Sequence, residues 1–144
     1  MALWHRPKLS SMFALKESGC ELVVTLMSEK EGARAIGEAA ESSGMEWTWL
    51  PLEDSRPPEG RRIAAVINAL VLLSEKLDAG RSVLVHCSAG MHRTGMITFA
   101  LLRLRGHTEE EALDLIHLMR PHTRHALTAK RIAWGNTAVT VRHA

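Results

Sequence analysis

The sequence has little that could form cross-links, span a membrane or bind nucleic acid. Two cysteines in 144 residues make neither a disulfide framework nor a zinc-knuckle pattern, which favours a reducing compartment. The longest apolar stretch, Ile63–Leu73, has eleven residues and is interrupted by Asn68, whereas a membrane span needs about 20. The formal net charge of +2 is far from the basic excess of a dedicated nucleic-acid binder. We therefore expect a cytoplasmic protein with no membrane partner.

The remaining composition is that of one folded unit. Apolar residues make up 46% and charged residues 24% of the chain, a balance typical of globular rather than disordered proteins. A chain of this length can bury a core but is too short for two ordinary domains, and it contains no internal repeat. We expect residues 1–144 to form a single domain.

Charge is distributed unevenly along the chain. Residues 1–60 hold ten acidic and six basic side chains, whereas residues 115–144 hold five basic side chains and no acidic one. These five are Arg120, Arg124, Lys130, Arg131 and Arg142. Two interpretations remain open: a solvated basic tail, or a rim that attracts anionic substrates. Arg120, Arg124 and His125 are candidates for lining the pocket.

Short β-branched runs alternate with helical patterns, which predicts an α/β fold. The strand candidates, apolar enough for burial on both faces, are Leu22–Leu26, Glu46–Leu50 and Ser82–His86. Helices are predicted at Glu29–Ser43, from Pro57/Pro58 to Gly80, at Arg93–Arg105, from Thr108 to Pro121 and from Ala126 to about Trp134. Strands alternating with helices imply right-handed crossovers. We expect a short, mostly parallel sheet flanked by helices on both faces.

The segment His86–Gly95 reads HCSAGMHRTG and joins a predicted buried strand to a predicted buried helix. Cys87 would there face free backbone N–H groups and the positive end of the helix dipole, which favour a thiolate and form a cradle for an anion. Arg93 follows after five residues, where its guanidinium can bind two oxygens of a phosphoryl group. We call residues 87–93 the phosphate loop. Its predicted phosphate-binding residues are Ser88, Ala89, Gly90, Met91, His92 and Arg93.

This pattern resembles that of the cysteine-dependent protein tyrosine phosphatase superfamily, in particular its small dual-specificity-phosphatase-like branch. His-Cys, Ala-Gly and Arg-Thr-Gly fall within one ten-residue window, and the flanking elements follow the family order over nearly the whole sequence. The resemblance implies a phosphatase-type strand–phosphate loop–helix and a phosphomonoester phosphatase that needs neither metal nor cofactor. It implies Cys87 as the nucleophile and Arg93 as the group that stabilises the transferred phosphoryl group.

The resemblance also implies a general acid on a mobile loop upstream of the nucleophile. Asp54, in the segment LEDSRPP, lies 33 positions before Cys87. Its carboxyl would protonate the leaving oxygen and then accept a proton from the attacking water. Glu53 is the adjacent alternative, and both carboxyls could instead only favour the N-terminus of the next helix.

Three further residues of the ten-residue window have candidate roles. The Thr94 hydroxyl can donate to the sulfur and help it to leave in the second step. His86 either stabilises the thiolate through its ring or holds the loop. His92, where the family has Gly or Ser, either recognises the anionic substrate or points to solvent.

The sequence bounds the substrate only broadly. It has no tyrosine and is too short for the aromatic recognition loop of the larger tyrosine phosphatases, so strict phosphotyrosine preference has no support. We expect a phosphorylated protein or a small phosphorylated molecule. A nucleotide, an inositol phosphate and an RNA 5′ phosphate are alternative substrates, the last being the one nucleic-acid partner considered. A catalytically idle phosphate-binding module is the alternative of a different class.

Overall fold

The computed structural model describes the backbone of residues 1–143 and the side chains of residues 1–140. The strands are β1 Ala2–Trp4, β2 Leu22–Thr25, β3 Glu46–Trp49 and β4 Val83–His86. The α-helices are α1 Met12–Glu17, α2 Ala33–Ser42, α3 Arg61–Asp78, α4 His92–Leu104, α5 Glu109–Met119, α6 Pro121–His125 and α7 Ala129–His143. None of the helices in the described part combines the length and apolarity needed to cross a bilayer.

The sheet is parallel throughout, with the strand order β1-β4-β2-β3. The register pairs His86, at the end of β4, with Trp4 on one side and Thr25 on the other. Thr25 is in turn paired with Trp49 of β3. The carboxyl ends of the strands therefore lie along one edge, which is where parallel α/β sheets form their binding sites.

Side chains of β2 alternate between two parts of the core. Leu22 and Val24 belong to the cluster that contains α3 and α4, whereas Val23 packs with Met12 of α1 and Ile36 of α2. Helices thus cover both faces, and the predicted α/β fold is confirmed. Eleven of the thirteen residues of α4 are buried, which confirms that this helix runs through the interior.

Two predicted helices begin or divide differently from the sequence prediction. The helix predicted from Pro57/Pro58 begins only at Arg61, because the preceding Gly60 has a φ of +59° and a ψ of −131°, which lie outside the helical region. The predicted helix Glu29–Ser43 is divided at Gly32, whose φ of +93° separates a 3-10 turn at Glu29–Glu31 from α2.

The first strand, the last two helices and the edge strand β3 also differ from the prediction. The sequence did not predict β1, because it has only three residues and buries one of them. Pro121 was predicted to stop a helix, yet it also begins α6, since the first helical turn accepts proline. The last helix begins at Ala129 rather than Ala126 and extends well beyond Trp134. As an edge strand, β3 is partly exposed rather than buried on both faces.

Candidate active site

The phosphate loop connects β4 to α4 at the carboxyl edge of the sheet. Cys87 directly follows β4, and its side chain is 2% exposed. Gly90 has a φ of +71°, and a Cβ at this position would collide with the Trp4 carbonyl and the Arg120 guanidinium. The turn therefore requires glycine both for its conformation and for space.

The predicted phosphate-binding residues of the phosphate loop differ in exposure. Ser88, Ala89 and His92 are exposed, Met91 is half-buried, and Gly90 and Arg93 are buried. The Gly95 N–H bonds back to the Met91 carbonyl at 2.9 Å. The N–H groups at the very start of α4 have no partner within the helix by position, and they are placed to bind oxyanion oxygens.

Thr94 and Cys87 are in direct contact. The Thr94 hydroxyl lies 3.0 Å from Cys87 Sγ and donates to it. Both side chains are buried, and both lie at the N-terminal end of α4, where the helix dipole favours negative charge. The structure thus brings together the predicted nucleophile, Cys87, and the hydroxyl predicted to help its sulfur to leave, that of Thr94.

Arg93 is held by a carboxylate that the sequence did not single out. Its Nη1 and Nη2 donate to Oε2 and Oε1 of Glu31, each at 2.7 Å, and Nη1 also donates to the Leu52 carbonyl at 2.9 Å. The Glu31 carboxylate also accepts from the N–H and hydroxyl of Ser28 and from the Ser88 hydroxyl. This network fixes the guanidinium beside the phosphate loop.

The pair also favours the charged forms of both groups. The hydrogen bonds from Arg93 hold the pKa of the Glu31 carboxyl far below its usual range. The hydrogen bonds to Glu31 raise the pKa of the Arg93 guanidinium, and the nearby Cys87 sulfur contributes in the same direction. Arg93 is therefore a fixed positive charge next to the sulfur.

Glu31 escaped the sequence prediction because it lies in a segment read as one helix. The spacing Ser28-x-x-Glu31 is that of a capping box, and the structure contains this box. A capping box predicts a helix N-terminus, however, and gives no sign of an arginine 62 positions away. Only the fold brings the two residues together.

His86 holds the loop through its backbone contact. Its Nδ1 lies 3.2 Å from the Cys87 carbonyl oxygen, and its Nε2 lies 2.7 Å from Thr25 Oγ1. Because a carbonyl only accepts, Nδ1 carries the ring proton and Nε2 accepts from the Thr25 hydroxyl, which itself accepts from Trp47 Nε1 at 2.8 Å. Burial lowers the pKa of His86 to about 4, so the ring is neutral near pH 7. These contacts match the second of the two roles considered for His86.

Asp54 lies in the loop of residues 50–60 between β3 and α3, which we call the acid loop. Its carboxylate accepts from the backbone N–H and from Nε of Arg56, both at 2.9 Å. The Arg56 guanidinium lowers the pKa of the Asp54 carboxyl. Within the described residues Asp54 makes no hydrogen bond to Cys87 or Arg93, and Glu53 is likewise exposed. The structure therefore places the predicted acid on a loop that contacts Arg93 through the Leu52 carbonyl, but does not join the carboxyl to the nucleophile.

The acid loop is nevertheless attached to the site at two points. The Leu52 carbonyl accepts from Arg93 Nη1 at 2.9 Å, and the Ser55 carbonyl accepts from Arg131 Nε at 3.0 Å. Arg131 Nη1 lies 3.3 Å from Nδ1 of His92. His92 is thus exposed and beside a cation of α7.

The outer side of the phosphate loop is held by residues of α6 and its N-terminal boundary. Arg120 Nη1 donates to the carbonyls of Ala89 and Gly90 at 2.9 Å and 2.6 Å, and the Thr123 hydroxyl donates to Gly90 at 2.6 Å. The Arg120 guanidinium also lies over the Trp4 ring, 5.5 Å from its centroid. Arg120, considered as a pocket-lining residue, therefore supports the loop backbone.

The N-terminal segment supports the other side of the loop. The backbone N–H of Arg6 donates to the Ser88 carbonyl at 2.9 Å, and the Arg6 guanidinium donates to the Glu31 carbonyl. A buried sulfur, a fixed guanidinium and helix N-terminal amides consequently meet at one point. Such an arrangement can bind a tetrahedral oxyanion and attack its central atom. No cluster of three potential metal ligands occurs among the described residues.

The chain is similar to known phosphatases. Residues 5–107 match the family model Tc-R-P, described as "Polymorphic toxin system, DSP-PTPase phosphatase". The chain is 27% identical over 111 residues to dual specificity protein phosphatase 12 of Mus musculus, and 26% identical to that of Rattus norvegicus. Each match covers 76% of this chain but 31% of the relative, so the chain spans about a third of the length of these proteins.

Solved structures share the fold. PTPMT1 in complex with PI(5)P superposes with a TM-score of 0.80 at 21% identity, over 99% of this chain and 93% of that chain. Tk-PTP in its active form gives a TM-score of 0.77 at 23% identity, over 94% and 88% of the two chains. The family model covers well over half of the sequence and includes the phosphate loop. The chain belongs to the DSP-PTPase phosphatase family of polymorphic toxin systems.

Proposed function

We propose that this chain is a metal-independent phosphomonoester phosphatase that works through a cysteinyl-phosphate intermediate. The observation that carries the proposal is the Cys87 sulfur, which receives the Thr94 hydrogen bond at 3.0 Å beside the guanidinium fixed by Glu31. A positive charge and helix N-terminal amides around one sulfur stabilise both a thiolate and a bound phosphate.

In the first step the Cys87 thiolate attacks phosphorus. The S–P bond forms while the bond from phosphorus to the leaving oxygen breaks. The loop amides and Arg93 stabilise the equatorial oxygens. Asp54 gives its proton to the leaving oxygen, so that an alcohol rather than an alkoxide departs.

In the second step water attacks the phosphorus of the cysteinyl phosphate. Asp54, now a carboxylate, takes a proton from this water, and the S–P bond breaks. The hydroxyl of Thr94 donates to the departing sulfur and stabilises the thiolate. Inorganic phosphate leaves, and both Cys87 and Asp54 return to their starting forms.

This cycle requires Asp54 to exchange its partner. In the structure Asp54 is bound to Arg56, an exposed neighbour on the same loop. An exposed ion pair contributes little stability, so the exchange costs little. The attachment of the acid loop at Leu52 keeps the carboxyl within a short stretch of chain from Arg93.

The substrates that we propose are phosphorylated proteins or small phosphorylated molecules. Ser88, Ala89 and His92 leave the rim of the phosphate loop exposed, which supports a site open to more than one leaving group. The structural relative PTPMT1 was solved with PI(5)P. The phosphate loop of this chain, however, contains no lysine that could bind a further phosphate group of such a lipid. We therefore propose soluble phosphomonoesters over phosphoinositide lipids.

The test is phosphate release from an aryl phosphate under reducing conditions by the wild type and by Cys87→Ser. The wild type should turn over, and the variant should lose turnover while it still binds tungstate by calorimetry. Turnover retained in the variant overturns the nucleophile assignment. A wild type that binds tungstate without turnover supports the idle phosphate-binding module instead. Phosphopeptides, phosphorylated metabolites and PI(5)P vesicles, assayed in parallel, identify the substrate class.

A further inference from the structure

We propose that Arg131 is a positioning residue for Asp54, because its guanidinium connects the acid loop to the phosphate loop. This role rests on the proposed function of Asp54 as general acid. Arg131 lies 77 positions from Asp54 in the sequence, which marks it only as one of the five bases of residues 115–144.

Three segments meet at the Arg131 guanidinium. Nε donates to the Ser55 carbonyl at 3.0 Å, and Nη1 donates to the Ala126 carbonyl at 3.3 Å. Nη1 also lies 3.3 Å from His92 Nδ1, which accepts when the ring is neutral on that nitrogen. Since the guanidinium is planar and rigid, these contacts fix the relative positions of the segments.

The base of the Arg131 side chain is itself fixed. Arg131 lies in the first turn of α7, where its N–H is 3.4 Å from the Thr128 hydroxyl. The helix packs along α4, and Trp134, one turn further on, is buried in the core. The guanidinium therefore extends from a rigid helix, which makes it a suitable support for a loop.

The acid loop is thus held on both sides of Asp54. Arg93 binds the Leu52 carbonyl two residues before it, and Arg131 binds the Ser55 carbonyl directly after it. Loss of the second contact would free the backbone next to the carboxyl. Cys87 and Thr94 make no hydrogen bond to Arg131, so their arrangement would remain.

A direct substrate contact is the alternative role for Arg131, which also lines a cavity of about 380 Å³ together with Pro57, Pro58 and Trp134. Two of its three guanidinium nitrogens already lie within hydrogen-bond distance of protein acceptors, however. One of these acceptors is the carbonyl of Ser55, the residue next to Asp54, which favours the positioning role. The two roles predict different kinetics.

The test compares kcat/KM for phenyl phosphate, whose leaving oxygen needs a proton, with that for dinitrophenyl phosphate, whose leaving oxygen does not. Arg131→Met should lower kcat/KM for phenyl phosphate by about 10- to 100-fold, as expected for a misplaced catalytic group, and change that for dinitrophenyl phosphate by less than about threefold. The kcat/KM of Arg131→Lys for phenyl phosphate should lie between those of the wild type and Arg131→Met, because a lysine keeps the charge but not the planar fork. Arg61→Met, which removes an exposed cation with no partner among the described residues, is the matched control and should behave as wild type.

Asp54→Asn is the reference that separates this proposal from the role of Asp54. It should show the same leaving-group dependence, and combining it with Arg131→Met should add little further loss. Equal losses of Arg131→Met on both substrates, or a change confined to KM, would overturn the positioning role. If Asp54→Asn shows no leaving-group dependence, the acid assignment fails. Hydrogen exchange of the backbone amides of residues 53–56 then tests separately whether Arg131 holds the acid loop. Exchange faster in Arg131→Met supports the link between the loops, and unchanged exchange excludes it.

Discussion

Glu31 and Arg93 form a two-pronged ion pair in which both Nη atoms lie 2.7 Å from the carboxylate oxygens. The pair orients the guanidinium through Nη1 and Nη2, and Nη1 is also held by the Leu52 carbonyl at 2.9 Å. A guanidinium held in this way reaches a bound phosphate without first having to be ordered. Preorganised charge of this kind is the main source of catalysis in phosphoryl transfer.

Glu31→Gln should therefore weaken both catalysis and anion binding. Without the charged partner the guanidinium loses its orientation, and kcat/KM for an aryl phosphate should fall about tenfold or more. Inhibition by tungstate should weaken in parallel. Glu29→Gln is the control, since Glu29 belongs to the same 3-10 turn but pairs with the exposed Arg34. Identical kinetics in the two variants would contradict the orienting role of Glu31.

The same pair predicts how stability depends on pH. The pKa of the Glu31 carboxyl is lower in the folded protein than its ordinary value of 4.5. The pair therefore stabilises the folded state above that value, and this stabilisation is lost as the pH falls below it. Urea unfolding at pH 7 should show the wild type more stable than Glu31→Gln by about 1–3 kcal/mol. The difference should shrink steadily below pH 4.5, and a difference independent of pH would contradict the pairing.

Removal of Arg56 should move the alkaline limb of the pH–rate profile. Arg56 lowers the pKa of Asp54, which must be protonated to act as the acid. In Arg56→Met the pKa of Asp54 rises, so Asp54 stays protonated to higher pH. The alkaline limb of the kcat/KM profile for phenyl phosphate therefore shifts to higher pH. Arg61→Met should leave the profile in place. An alkaline limb that stays unchanged in Arg56→Met would assign the acid to another group, with Glu53 the first to test.

The chain of hydrogen bonds from Trp47 through Thr25 to His86 should behave as one unit. Thr25→Val leaves the buried His86 Nε2 and the half-buried Trp47 N–H without a partner, which should cost about 1–3 kcal/mol of the free energy of unfolding. Thr25→Ser keeps the hydroxyl and should cost less. Urea unfolding of Thr25→Val, Trp47→Phe and the double variant checks the coupling. Strictly additive losses would show that the contacts are independent.

The sequence was most informative where the site is local. Cys87, Thr94 and Arg93 lie within eight residues, so a strand–loop–helix pattern was enough to predict their proximity. The sheet and its helical layers followed from periodicity, because buried faces repeat at fixed intervals.

The supporting contacts could not be predicted in the same way. Glu31, Thr25 and Arg131 meet the loop only through the parallel register of β2 with β4 and the packing of α7 on α4. Their own local patterns, a capping box, a strand end and a basic helix start, are common in proteins of many functions. The sequence predicted the position of the acid loop but not its conformation, because proline is also common in the first turn of a helix, as the Pro57/Pro58 pair suggested.

The most direct measurement is acid quench followed by mass spectrometry of Asp54→Asn reacting with dinitrophenyl phosphate. This substrate needs no proton in the first step, whereas the second step lacks its base, so the intermediate should accumulate. We predict one added phosphoryl group on the peptide that contains Cys87, and none in a variant that also carries Cys87→Ser. Turnover without this adduct, or an adduct on another residue, would contradict the cysteinyl-phosphate mechanism.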